Sequence, residues 1–169
     1  IDSFATGFSR TDGVQFQSGD VTLNLSGHYI ERYNNAAGTN VNKKAVFYVT
    51  GSAELTVMDS VGGGTVTVTG DPEIHGGKSN ALLITGENSV TLSSGTYATK
   101  ETSKRSILTT VGKVTDLLAD GFRYTDSNGM DVAITEDGQG TDSDHVTVSD
   151  FGIKYISADG AEQKCTSFT

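Results

Sequence analysis

Cysteine is nearly absent from this chain. Cys165 stands alone among 169 residues, so no intramolecular disulfide and no cysteine-built zinc site can form. Basic residues are also scarce: 12 Lys and Arg face 21 Asp and Glu, for a net charge of −9 and a pI near 4.6. That balance argues against the nucleic-acid backbone and against anionic membrane surfaces as partners. No stretch approaches the roughly 18 apolar residues of a membrane span, so no membrane insertion is expected. Tryptophan is missing, proline occurs once, and helix-forming runs of Ala, Leu, Glu and Lys do not occur. A hydrophobic content of 35% is low for a compact globule, yet too regularly placed for a disordered chain. What is abundant is threonine, valine and 21 glycines, the composition of a mostly β chain with a narrow core and much surface.

The apolar residues are arranged in a repeat. Gly19 precedes Leu23 and Leu25, Gly51 precedes Leu55 and Val57, and Gly86 precedes Val90 and Leu92, always at plus four and plus six. The position between is polar each time: Asn24, Thr56 and Thr91. A strand-like run feeds each glycine, namely VQFQ, AVFYV and ALLI. Each unit therefore reads strand, glycine turn, strand, with inward residues two apart. The glycine spacings, 51 − 19 = 32 and 86 − 51 = 35, lie in the range of solenoid repeats. Their extra length is assigned to polar loops, YNNAAGTNVNKK in the first unit and VGGGTVTVTG in the second.

A fourth unit starts at SILTTVGK and breaks the rule, because Asp116 stands at plus four from Gly112. The following VTDLLADGFRYTDSNG predicts a short helical turn near 115–120, with Thr115 as N-cap and Gly121 as its close. Such an element would cover the open end of a stack, where strand edges would otherwise stay unpaired. The tail, from DVAIT through HVTV to EQKC, alternates again and reads as two to four antiparallel strands, with SADG as a turn. The expected fold is all-β: a short right-handed parallel β-helix of three to four rungs with a β-rich C-terminal cap. Residues 1–125 form the rungs, and 126–169 form the cap of the same domain. A β-sandwich of about seven short strands is the rival architecture.

AVFYVTGSAELTVMDS, ALLITGENSVTLSSGTY and KVTDLLADGFRYTDSNG together resemble the β-helix modules of large cell-wall-anchored surface proteins of gut Firmicutes. In that group a comparable DLLADG segment follows the last rung, and YISADGAEQKCTSFT resembles the piece that closes one module and leads into the next. The likeness covers most of Ala45 to Thr169 and concerns a style of repeat. It implies a secreted, surface-displayed adhesin module, an extracellular segment of a longer wall-anchored protein. The chain also begins in mid-pattern at Ile1 with no leader ahead of it, as a segment would. Some members of the group bind host immunoglobulin in a superantigen-like way, through antibody framework. No binding motif of the group transfers residue by residue.

Catalytic chemistry is poorly supported. A glycosidase needs two carboxylates about 5–9 Å apart. Asp59, Asp71, Glu73 and Glu87 fall near rung ends, but no adjacent pair and no GHG motif accompanies them. Lys78 and Arg105 are the only bases near the rungs that a lyase could use. His28, His75 and His145 share no metal-type spacing and adjoin no nucleophile motif. EDGQGTDSDH and DSNGMD resemble calcium loops in part, but the first lacks stacked copies and the second its terminal Glu. Both read as solvated turns, so neither a cofactor nor a metal is expected.

The richest binding candidate is GHYIERYNNAAGTN, which gathers His28, Tyr29, Arg32 and Tyr33 beside a polar tip. Tyr and Arg dominate binding hot spots because they offer large area with a polar end. The alternative is one more strand, with Tyr29 and Ile30 taking turns inside and outside. A second candidate is an exposed strand edge at HVTV or IKYI that could pair with a partner strand. The expected role is a non-catalytic binding module for a host protein, immunoglobulin first. A glycan-binding module or a plain spacer are the alternatives.

Overall fold

The computed structural model describes residues 13–34, 45–70, 79–86, 89–100, 104–152 and 154–164. Within them the chain is all-β. In chain order the strands are β1 (Val14–Asn24), β2 (Tyr29–Asn34), β3 (Ala45–Met58), β4 (Thr65–Gly70), β5 (Asn80–Ile84) and β6 (Ser89–Leu92). They continue as β7 (Gly95–Thr99), β8 (Ile107–Thr109), β9 (Phe122–Thr125), β10 (His145–Asp150), β11 (Lys154–Ile156) and β12 (Glu162–Lys164).

From β1 to β8 the strands feed two sheets by turns, except that β5 and β6 both enter the first. The first runs β1-β3-β5-β8, with β6 also pairing the far half of β3. The second runs β2-β4-β7-β10-β9. Every pair in the first sheet is parallel, as are β2–β4 and β4–β7 in the second. Parallel neighbours require a crossover between them, which a sandwich of antiparallel hairpins does not supply. The two faces meet around one core of Leu55, Val57, Val66, Val68, Leu82, Ile84, Leu92, Tyr97, Ile107 and Val146, all 1% exposed or less. The core thins toward β1 and β2, where Val14, Phe16, Val21, Leu23 and Ile30 are only partly buried.

Register departs from the repeat read in the sequence. Between the second and third units the match is as expected, with Leu55 opposite Val90 and Val57 opposite Leu92. In the first unit Val21 lies opposite Leu55 and Leu23 opposite Val57, so Gly19 meets Ala53 rather than Gly51. An irregularity between Phe16 and Ser18 supplies one residue of the change, from Phe16 opposite Val49 to Ser18 opposite Ser52. The residue stacked on Gly51 is Gln17: a Cβ at Gly51 would lie 2.5 Å from the Gln17 carbonyl oxygen. A shift of two residues leaves every side chain on its own face, so alternation alone could not choose between the two registers.

The assignment of VGGGTVTVTG to a loop is corrected as well. Thr65–Gly70 is β4, and its Val66 and Val68 are fully buried. The second sheet was hidden by the glycine run before it. YNNAAGTNVNKK begins inside β2, and its remainder lies outside the described residues.

The helical turn forms as a 3₁₀ segment, Val114–Leu117, that buries Val114 and Leu117. Thr115 is inside it rather than its cap. The N-cap is Lys113, in extended conformation and without a side-chain hydrogen bond. In the tail, DVAIT makes only isolated bridges, from Asp131 to Thr125 and from Ile134 to Thr141. HVTV is no exposed edge: β10 lies between β7 and β9, antiparallel to both. β11 and β12 form a separate hairpin closed at SADG, where the Ser157 amide donates to the Ala161 carbonyl at 2.9 Å.

Candidate functional site

β2 enters from the turn at Gly27, whose φ of +74° belongs to the left-handed region. The His28 carbonyl then accepts the Thr65 amide at 3.0 Å, which starts the pairing with β4. From there the period of two sorts the side chains. Ile30 and Arg32 lie in register with Val66 and Val68 and turn inward, while Tyr29, Glu31 and Tyr33 lie in register with Thr65, Thr67 and Thr69 and face out.

The four residues singled out in the sequence therefore separate. Tyr29 and Tyr33 are each 61% exposed on one face of β2. His28 is exposed at the corner just before the strand. Arg32 is only 8% exposed, and its Nη1 donates to the Ala45 carbonyl at 2.6 Å. That bond ties the end of β2 to the start of β3, so Arg32 does not join the tyrosines at the surface.

The outer face was not legible as a unit. Register aligns Tyr29, Thr65, Thr96, Thr147 and Thr125 in one row across five strands. The Thr96 and Thr147 hydroxyls are 3.0 Å apart, and Thr125 Oγ1 is 3.0 Å from Ser149 Oγ. A second row holds Glu31, Thr67, Ala98 and His145. Thr69 Oγ1 donates to Glu31 Oε1 at 2.6 Å and steadies the carboxylate between the two tyrosines. The sequence signal for this face is the alternation in TVTVT directly after the glycine run.

Asp59, a candidate acid in the sequence, is occupied by the corner between the sheets. Its Oδ1 accepts the Gly27 amide at 2.7 Å and its Oδ2 the Gly64 amide at 2.6 Å. Desolvation pushes its pKa up, but these amides, helped by those of Gly62 and Val61, outweigh it and hold the carboxyl below its ordinary value. Gly64 permits the approach, since a Cβ there would lie 2.8 Å from Asp59 Cγ. Beneath it the Tyr97 hydroxyl is buried without a hydrogen-bond partner among the described residues. Burial first, then the Asp59 charge, raises the Tyr97 pKa and keeps the phenol neutral. An ionised, saturated carboxylate beside a neutral phenol is a structural arrangement rather than an acid–base pair.

The calcium-like runs are self-satisfied turns. Asp126 Oδ1 accepts the Asn128 and Met130 amides at 2.8 and 2.9 Å, and Asp137 Oδ1 accepts the Thr135 hydroxyl at 2.6 Å and the Gln139 amide at 3.0 Å. These bonds, led by the Met130 amide and the Thr135 hydroxyl respectively, lower both pKa values. Among the described residues no group of three or more His, Cys, Asp or Glu stands together. Asp71, Glu73, His75, Lys78, Glu87 and Cys165 lie outside the described residues.

Compared with protein-family models, with curated proteins and with solved structures, the chain matches none of them.

Proposed function

We propose that this chain is a short right-handed parallel β-helix with a β-rich cap, serving without catalysis as a binding module on a bacterial surface protein. Parallel pairing of β1, β3, β5 and β8 in one sheet and of β2, β4 and β7 in the other supports the coil, and parallel crossovers are right-handed in nearly all known cases. The observation that carries the binding role is the outer face of β2, where Tyr29 and Tyr33 stand 61% exposed on a strand fixed by hydrogen bonds to β4. Large aromatic side chains on a preformed sheet lose little ordering entropy on contact, which favours recognition by a rigid surface. The partner is a host macromolecule in the extracellular space. The resemblance of the rung and DLLADG segments makes secreted immunoglobulin the first to test.

The test is a titration of the full chain against polyclonal secretory immunoglobulin and its Fab fragments, before and after deglycosylation. Saturable Fab binding that survives deglycosylation, and weakens with Tyr33→Ala, is the expected result. Binding to glycans alone would replace this reading with a glycan-binding one, for which the half-buried hydroxyl row of Thr65, Thr96 and Thr147 is the supporting observation. No saturable binding of either kind would leave a spacer.

A further inference from the structure

The outward side chains of β2 form a short sequence of their own: Tyr29, Glu31, Tyr33. A strand rises about 3.3 Å per residue, so Glu31 sits about 7 Å from each tyrosine along the strand. Both rings are 61% exposed, and the carboxylate, also exposed, is anchored by the Thr69 hydroxyl at 2.6 Å. An aromatic face attracts a cation through its quadrupole, and a carboxylate does so through its charge. Two rings flanking an anchored acid therefore select a positive group, and one with a flat apolar surface best of all. Among the described residues, the cationic groups on the same sheet face sit on other strands. His145 is three strands from Glu31 in its own row, about 14 Å, Lys100 follows the end of β7, two strands or about 10 Å from β2, and Arg123 on β9, four strands from β2, is paired with Asp131 at 2.8 Å. The whole chain, at −9, adds attraction for a basic partner during encounter.

We propose that Tyr29, Glu31 and Tyr33 form a recognition site for an arginine or lysine side chain presented by a protein partner, with Glu31 receiving the charge and the tyrosines its flanks. This deepens the binding role proposed above by giving the partner's chemistry: a basic protein surface, not a saccharide and not an anion. It rests on that reading for its biological meaning but not for its test.

The test uses the full chain and two small probes, N-acetyl-arginine amide and its neutral isostere N-acetyl-citrulline amide, followed by NMR at Tyr29, Glu31 and Tyr33. Arginine is expected to shift all three residues saturably, and citrulline is not. Glu31→Gln keeps an oxygen for the Thr69 hydroxyl while removing the charge, and it should weaken the arginine titration about fivefold or more. Added salt should weaken it as well. Equal shifts from both probes would overturn the inference, as would arginine shifts confined to other acidic loops. So would a neutral trisaccharide that perturbs the same three residues more strongly than arginine. Failure of immunoglobulin to bind, with arginine still saturating the site, would remove only that partner's identity. Immunoglobulin binding with no response to arginine would remove only this inference.

Discussion

Asp59 and Arg32 are two charged residues that the fold uses internally, and each shows where residue chemistry overrides pattern. Asp59 is held ionised by backbone amides of Gly27 and Gly64 from two successive corners. Its folded pKa is depressed, so its contribution is fully present above the unfolded carboxyl value of about 4 and disappears as pH falls through the folded value. Asp59→Asn keeps one acceptor and loses the charge. At pH 7 it is expected to cost about 1–2 kcal/mol in urea unfolding, at the low end because the site is partly exposed. The gap between variant and wild type should narrow as pH falls below about 4, whereas a constant gap would show that the charge contributes nothing. Asp126, Asp137 and Asp159 have depressed pKa values too, but they are common to both proteins and cancel in the difference. Arg32 has the residue type of a binding hot spot, yet it is buried. Nothing in its neighbours signalled that an inward position of β2 would open onto the Ala45 carbonyl, which lies beyond a long connection in sequence.

Among elements, β2 and β3 divide the work between surface and core. Leu55 is 1% exposed within β3 and packs in the common core, so Leu55→Ala should cost about 2–5 kcal/mol and lower the thermal midpoint clearly. Tyr33→Ala, on the outer face of β2, should change stability by no more than about 0.5 kcal/mol. Comparable losses in the two variants would mean that the tyrosine face is packed and is no docking surface. The β character of these elements was legible because VQFQ, AVFYV and ALLI alternate or run apolar between glycines. β4 is masked in the sequence because Gly62, Gly63 and Gly64 signal a turn, although Val66 and Val68 alternate with threonines directly after it. The slip of the first unit was hidden for a different reason. Val21, Leu23 and Leu25 offer three inward apolar positions where the repeat needs two, so either choice satisfies the core.

For the molecule as a whole, the tail completes the second sheet. β10 pairs with β7 on one side and β9 on the other, and it contributes Val146 and Val148 to the same core as Leu55. A chain ending at Thr125 would strip β7 of its antiparallel neighbour and open the core beside Tyr97. It should lose cooperative unfolding and self-associate through the bared edge, as size-exclusion chromatography would report. A monomeric, cooperatively folded truncation would show instead that the tail is an independent appendage. The terminal β11–β12 hairpin was legible from its SADG turn, where Ser157, Asp159 and Ala161 bond one another. The joining of β10 to β7 was not, since it links strands some fifty residues apart that no local pattern connects.

The most direct test of the account separates recognition from stability in a single double variant, Tyr29→Ala with Tyr33→Ala. Binding to secretory immunoglobulin and its Fab fragments is titrated beside the urea unfolding curve of the same preparation. Saturable binding by the wild type is expected, weakened about tenfold or more in the variant, with unfolding free energy changed by no more than about 1 kcal/mol. Undiminished binding by the variant, or no saturable binding by the wild type, would contradict the account.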